Sequence, residues 1–390
     1  MLGIYTGVMS TYVLVVTTAS WFRPKQQKPE KNNGKDMLPS IAVLIPAHNE
    51  EKQILAVISS ILDTDYQGKY QTFVIADNCH DRTAAIARES GATVFERTDP
   101  VNPGKGQAIN WALTTQSPLL AEFSIIAFVD ADTEVDPNFL PAIADSLGRD
   151  DIDVVQGFHS VSNAEDNWRT SFTYLGFAGI NHIRPSGQYV LGGSAGIKGN
   201  GMAFKTPTLL EMGWPARSIV EDLEISLMLL LSGKSVAYNG NAIVRSEMPQ
   251  TAEQAETQRE RWEGGRYQII REYTPQLLAA YRNSGRWKYL DAWLDLALPP
   301  FTLMVLVVLL STACGWLLST DLALTSGMLG IAAIAFYCAS ALIQTNAPAK
   351  VWKNLMAAPL FLLWKIPLSL KLLGNKQKQW NRTTRNREKH

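Results

Sequence analysis

Three polar clusters in this chain stand directly after apolar runs. Ala47-His48-Asn49-Glu50 closes residues 41–46, Asp77-Asn78-Cys79-His80-Asp81 closes 71–76, and Asp130-Ala131-Asp132 closes 125–129. Two aspartates one residue apart are a weak signal, and Asp63/Asp65 and Asp151/Asp153 share it. Only Asp130/Asp132 directly follows an apolar run, where a strand end would hold both carboxylates on a tight turn. Hard oxygens so placed suit Mg²⁺ or Mn²⁺ bound together with substrate phosphates. A solvated turn or a helix cap before Pro137 is the alternative. Asp77 could accept a hydrogen bond from a base N–H, or cap the next helix with Asp81; for Asp81 the cap is preferred. Gly104-Lys105-Gly106 is a flexible turn presenting one cation, suited to a diphosphate or simply to solvent.

Glu221-Asp222 precede an apolar helical run over 223–231. Acidic residues in a first turn stabilise the helix dipole; one turned into a cleft would be a general base. In Gln258-Arg259-Glu260-Arg261-Trp262, the spacing i, i+3, i+4 puts Gln258, Arg261 and Trp262 on nearly one helical face. An amide, a cation and an aromatic plane together suit a sugar beside a phosphate. A surface helix with Trp262 in the core is the other reading. Gln156-Gly157 and Gly192-Gly193-Ser194 either shape an acceptor site or are ordinary turns.

The elements that must carry these groups alternate. Strands are expected at 41–46, 71–76, 92–96 and 125–129, and helices at 50–62, 82–90 and 106–113. Short links between them predict a doubly wound α/β parallel sheet. Ligands of such sheets sit at the carboxyl ends of the strands, where all three clusters fall. No GxGxxG follows the first strand, where Pro46 and the His-Asn-Glu-Glu run stand instead, so a nicotinamide site is excluded. No GxxxxGK[ST] exists, which excludes a P-loop nucleotidase.

The blocks IPAHNEE (45–51), ADNCHDRT (76–83), PGKGQAINWAL (103–113), VDAD (129–132), GNGMAF (199–204), VED (220–222) and QRERW (258–262) occur in that order. Over residues 38–270 this order resembles the membrane-bound family 2 glycosyltransferases, and in particular the processive branch containing hyaluronan, chitin and cellulose synthases. The resemblance implies a nucleotide-sugar-binding domain of GT-A type. It implies that Pro46, Ala47, Glu50 and Asp77 line the nucleotide, with Asp77 on a uracil-like base. Lys105 would lie near the nucleotide. Asp130 and Asp132 would hold nucleotide and divalent metal, with Asp132 the more direct ligand and counted with the catalytic groups. Asp222 would be the catalytic base, with Glu221 beside it, and Gln258, Arg261 and Trp262 would line the diphosphate and acceptor region. One departure is Ala76, where many relatives carry a first Asp before the one kept here as Asp77.

The chain has 390 residues, 46% of them apolar, and no net charge; its mean hydropathy is −0.04. Those averages exclude disorder and a disulfide scaffold. They conceal segregation: residues 1–36 carry a net +3, 371–390 a net +6, and the middle −9. Basic ends on an acidic body argue against nucleic acid as a partner and suit anionic lipid headgroups. Cys79, Cys314 and Cys338 form no metal-binding or disulfide pattern, and a reducing cytoplasm is expected for the main body.

Residues 1–22, 296–320 and 322–349 contain no charged side chain, and about 20 such residues span a bilayer. The expected organisation is an N-terminal transmembrane helix at 1–22 and a cytoplasmic glycosyltransferase domain at 38–275. An interfacial amphipathic helix at 284–298 then leads into a transmembrane hairpin at 296–349. An interfacial or re-entrant helix at 351–373 and a basic cytoplasmic tail at 374–390 complete it; a further full span is the alternative at 351–373. Arg23, Lys25, Lys28, Lys31 and Lys35 put the end of the first span inside. The expected location is a bacterial inner (plasma) membrane.

The combined expectation is an inverting, metal-dependent glycosyltransferase. It would move a sugar from a nucleotide diphosphate sugar, UDP foremost, to a growing β-linked oligo- or polysaccharide. A glycolipid synthase adding one sugar to a membrane lipid is the alternative, and a non-catalytic nucleotide-sugar-binding subunit is the reading from a different class. Transport is disfavoured because the spans lack ionisable residues. The sugar, the acceptor and any export partner stay open.

Overall fold

The computed structural model describes residues 1–23, 38–215, 218, 220–250 and 252–357, with the helix alone described over 252–264. The chain divides into two compact units. One comprises residues 24–162 and 195–247; the other comprises 1–23, 163–194 and 248–390.

The first unit is built on an eight-stranded sheet. Its strands are β1 (Ile41–Ala47), β2 (Tyr70–Asp77), β3 (Thr93–Arg97), β4 (Ile125–Phe128), β5 (Thr133–Val135), β6 (Val154–Val161), β7 (Met202–Lys205) and β8 (Val236–Ser246), in the order β3-β2-β1-β4-β7-β6-β8-β5. The half formed by β1 to β4 is parallel, as the sequence alternation predicts, with Leu44 opposite both Phe73 and Phe128. Beyond β4 the sheet becomes mixed. β7 runs antiparallel to β4 and β6, while β8 runs parallel to β6 and antiparallel to β5. The parallel strands read as unbroken apolar runs because helices cover both faces. The Ile54–Leu62 helix shows why: Ile54, Val57, Ile58 and Ile61 are buried at the spacing of one face.

This helix starts four residues later than its sequence suggests. The 48–53 stretch is committed to other bonds: Asn49 lies at φ 54°, and Glu50 N–H donates to the Thr83 hydroxyl at 2.7 Å. Under β4, Phe128, Phe204 and Trp214 pack with ring centroids 5.3–6.2 Å apart. Gly157 marks an irregularity between β6 and β8. A Cβ there would stand 2.2 Å from the Ala242 carbonyl oxygen, so the strand needs a glycine.

The second unit is helical. Leu2–Ser20 and Asp321–Gln344 are long and apolar enough to cross a membrane, and Trp287–Ala297 with Phe301–Leu317 forms a pair bent by 83°. Small residues let these helices approach closely. Built Cβ atoms on Gly3 and Gly7 would lie 3.0 Å from Ala323 and 3.1 Å from Ser326, and Trp21 donates to Ser340 at 3.0 Å. Leu2–Ser20 and Asp321–Gln344 therefore run parallel. Phe301–Leu317 runs antiparallel to the latter, with a Gly315 Cβ 2.3 Å from the Leu324 nitrogen.

Two features of this unit depart from the contiguous 38–275 domain expected from sequence. Residues 163–194 and 248–275 group with the apolar helices instead. The cause is packing: the helical run 168–190 presses Gly187 onto the Val16 carbonyl and Gly179 onto the Tyr337 hydroxyl. Within the 284–298 stretch, Trp287–Ala297 is helical, its end capped by Arg266, which donates to the Asp295, Leu296 and Leu298 carbonyls at 2.9–3.1 Å. Of the 351–373 expectation, Ala349–Asn354 is helical and a short turn ends at Ala357; residues 358–390, the basic tail included, lie outside the described residues.

Candidate active site

The carboxyl ends of β1, β2 and β4 bring the three polar clusters to one edge of the first unit. Pro46 and Ala47 end β1, opposite Ile75 and Ala76 of β2. Beyond them the chain turns, and its polar groups lock the β1 loop to the β2 loop. Asn49 Oδ1 accepts from His80 N–H at 2.8 Å, and Glu51 N–H donates to Asp81 Oδ2 at 3.2 Å. Asp81 Oδ1 also accepts the Thr83 N–H at 3.0 Å, at the start of the Thr83–Glu89 helix whose N-cap is Arg82. Glu50 is buried within this junction.

Asp77, the last residue of β2, is buried and faces Arg97, the last residue of β3, in register. The Arg97 guanidinium donates to Asp77 Oδ1 at 2.5 Å, Asn78 Nδ2 to the same oxygen at 3.1 Å, and Gly104 N–H to Oδ2 at 3.4 Å. Gly104 sits at φ 119°, a conformation suited to glycine. It precedes the Lys105–Thr115 helix, so Lys105 projects from a first turn.

The Lys105 ammonium donates to both Asp130 Oδ1 and the Gly199 carbonyl. On the other side of Gly199, a built Cβ would lie 3.3 Å from Asp222 Oδ2. Lys105 thus joins Asp130, just beyond β4, to the Gly199 backbone, which packs beside Asp222 in the first turn of the Glu221–Leu231 helix. Burial works against its charge, yet Asp130, Glu221 and Asp222 together raise its pKa above the ordinary lysine value. Asp222 accepts the Leu223 N–H at 2.8 Å. Burial pushes its carboxyl above the usual range, opposed by that N–H, Lys105 and Lys198. A carboxylate with a raised pKa beside a cation has the character of a general base.

A hydroxyl network supports the aspartate pair. Asn200 accepts the Asp130 N–H at 3.1 Å and donates to Thr133 Oγ1 at 2.9 Å. Thr133 Oγ1 lies 3.1 Å from Asp132 Oδ1 and 2.6 Å from Ser246 Oγ, and His159 Nε2 is 2.8 Å from that serine. Burial lowers the His159 pKa to about 4, outweighing Asp130 and Asp132, so the ring is neutral at physiological pH. Asp130 and Asp132 supply two carboxylates. That donor set fits a Mg²⁺ or Mn²⁺ ion sharing its shell with phosphates. Among the described residues, no group of three or more His, Cys, Asp or Glu side chains is placed to hold a metal ion by itself.

The expected residues Pro46, Ala47, Glu50, Asp77, Lys105, Asp130, Asp132, Glu221 and Asp222 thus all belong to one unit. Gln258, Arg261 and Trp262 lie in the Ala252–Ser284 helix of the other unit; their side chains are outside the described residues. Gln156 is wholly buried and holds the 198–200 backbone through Lys198 N–H and the Asn200 carbonyl, both at 2.8 Å. Gly193 belongs to the helical unit, where its Cβ would meet the Asp291 carboxylate. The sequence reading missed Arg97, Asn200, Lys198, His159 and Ser246. Their partners are 20 to 113 residues away; Asn200 stands in the GNGMAF block without a role read for it, and no local motif marks the others. Asp151 and Asp153 are taken up by Arg149 and Lys234, ordinary surface pairs.

A mixed sheet of this order, with carboxylates converging at the ends of β2 and β4, defines a nucleotide-sugar glycosyltransferase domain of GT-A type. The family described as glycosyltransferase-like family 2 matches residues 39–265, more than half of the chain, and the chain belongs to it. It is 28% identical over 280 residues to a beta-monoglucosyldiacylglycerol synthase of Trichormus variabilis, covering 70% of this chain and 57% of that relative. It is 25% identical over 283 residues to a poly-beta-1,6-N-acetyl-D-glucosamine synthase of Staphylococcus epidermidis, covering 71% and 66%. The chain therefore spans less than two thirds of the length of these curated relatives. Among solved structures, a mannosyltransferase of Pyrobaculum calidifontis in complex with GDP-Man and Mn²⁺ superimposes with a TM-score of 0.54 at 18% identity, covering 96% of this chain and 99% of that one. That likeness supports the fold.

Proposed function

We propose that this enzyme is an inverting membrane glycosyltransferase using a UDP-sugar and extending a β-linked oligo- or polysaccharide. The observation that carries the reading is Lys105, which ties Asp130 to the Gly199 carbonyl against Asp222. A cation for a leaving diphosphate thus stands beside a carboxylate base.

In the reaction, Asp222 takes the proton of the acceptor hydroxyl. The acceptor oxygen bonds to the anomeric carbon as the bond from that carbon to the diphosphate oxygen breaks. One displacement inverts the centre, so an α-linked donor gives a β-linked product. Lys105 stabilises the charge that develops on the departing diphosphate, commonly the largest catalytic contribution. A divalent ion held by Asp130 and Asp132 would supply further neutralisation of the diphosphate. Asp77 orients the nucleobase. The family resemblance gives Gln258, Arg261 and Trp262 to the diphosphate and acceptor region. The reading places the sheet unit at the cytoplasmic face, because Arg23 and four lysines follow the first apolar helix.

A glycolipid product is the second reading. The diacylglycerol-glucosylating relative at 28% identity favours it. Product analysis separates the two. Full-length enzyme in detergent, given UDP- and GDP-sugars, Mg²⁺ or Mn²⁺, and lipid or glycan acceptors, should yield a ladder of sugars with one UDP-sugar. A lipid bearing a single sugar would establish the second reading. Absence of transfer with every donor and acceptor would overturn both.

A further inference from the structure

We infer that Arg97 is the positioning residue that makes the nucleotide site selective for a base offering one N–H, as uracil does, over guanine. The inference rests on the proposed donor site and specifies its base.

The Arg97–Asp77 pair is almost completely enclosed, the two side chains being 5% and 6% exposed. A buried carboxylate left with an unpaired charge is costly, so its partners dictate which oxygen remains available. Oδ1 is taken by the guanidinium at 2.5 Å and by Asn78 Nδ2 at 3.1 Å. Among the described residues, Oδ2 meets only the distant Gly104 N–H at 3.4 Å. An ionised carboxylate otherwise presents two oxygens to a fork of donors. Here one oxygen is spent. Guanine presents adjacent donors at N1 and the exocyclic amine, which call for both. Uracil presents a single N3–H, which one oxygen satisfies.

The same guanidinium extends the arrangement toward the phosphates. It donates to Asp99 Oδ2 at 2.8 Å and to the Asn102 carbonyl at 2.9 Å. Asp99 Oδ1 accepts the Val101 and Asn102 N–H groups at 3.2 and 3.0 Å, and Asn78 bonds Asp99 through both its carbonyl oxygen and its amide. The 99–104 loop is therefore pinned at its start by Arg97 and delivers Gly104 and Lys105 at its end. Base contact and diphosphate contact share one anchor.

The test is titration of full-length protein in Mn²⁺ with UDP and with GDP, for wild type, Arg97→Lys and Asp99→Asn. Wild type should bind UDP at least ~10-fold more tightly than GDP, the worth of about one well-made hydrogen bond to a charged group. Arg97→Lys should bring that ratio toward one, because a lysine cannot hold Oδ1 and the loop together. Asp99→Asn, at a partly exposed position, should lower it by a smaller factor. General loosening of the fold would weaken both nucleotides alike and leave the ratio unchanged. Wild type binding GDP as tightly as UDP, or an unchanged ratio in Arg97→Lys, overturns the role of Arg97 while leaving the donor site intact. Failure of wild type to bind either nucleotide overturns the donor site itself.

Discussion

Thr133 and Ser246 face one another in register across β5 and β8, and their hydroxyls meet at 2.6 Å beneath Asp132. Neither residue touches substrate in the proposed reaction, yet together with Asn200 they fix the carboxylates that do. Outer partners of this kind typically change metal affinity 10–100-fold when removed. Ser246→Ala should therefore raise the Mn²⁺ concentration for half-maximal transfer by ~10-fold, read by metal titration at saturating donor. An unchanged titration would show that Asp132 needs no such support.

Lys105 carries the charge argument. Lys105→Met should reduce kcat by about 10²–10³, the usual consequence of losing one transition-state charge partner, with a smaller effect on donor binding. Steady-state kinetics at saturating donor reads this. A variant that loses only donor affinity would make Lys105 a binding residue.

The pH dependence follows from Asp222. Burial raises its pKa, and the base role proposed for it requires the ionised form. Activity should fall on the acidic side through an apparent pKa above the usual carboxylate value of 3.8. Lys198 helps to hold that pKa down, so Lys198→Met should move the acidic limb to higher pH. The pH profile of kcat/KM checks both; a shift to lower pH would contradict the placement of Lys198.

In the helical unit, Gly315 and Gly176 make a matched pair. A Cβ on Gly315 would lie 2.3 Å from the Leu324 backbone, whereas one on Gly176 meets nothing within 4 Å. Gly315→Ala should destabilise by about 1–3 kcal/mol, while Gly176→Ala should be neutral or gain up to ~1 kcal/mol from helix propensity. Thermal unfolding in detergent compares them. Equal effects would mean that the hairpin is not packed through its small residues.

Much of this architecture is legible in the sequence. β1, β2 and β4 are apolar runs ended by polar clusters, and the period of the pattern places those clusters on one edge. Asp77, Asp130 and Asp132 stand at those strand ends, while the roles expected of Lys105 and Asp222 come from the resemblance of the motif order to a known family. What could not be read is what depends on long-range pairing. Arg97 is one charged residue among many until β3 is set beside β2. Thr133, His159 and Ser246 become a network only once β5, β6 and β8 adjoin. The antiparallel β7 hides in a four-residue segment, Met202–Lys205, too short for its pattern to reveal direction. Residues 168–190 are expected within the 38–275 domain, whereas they group with the apolar helices. Their attachment to the membrane-type helices depends on Gly179 and Gly187, whose missing side chains admit Tyr337 and the Val16 backbone.

The central claim is that Asp222 removes the acceptor proton while Lys105 and the aspartate pair manage the diphosphate. Asp222→Asn tests it most directly, because the amide keeps the size of the carboxylate and lacks its basicity. The variant and wild type should be compared for UDP binding and for sugar transfer with the same donor and acceptor. The account predicts UDP binding within about 3-fold of wild type, half a pKa unit of energy, and transfer reduced by at least 10². Full transfer activity in Asp222→Asn would contradict it and require another base.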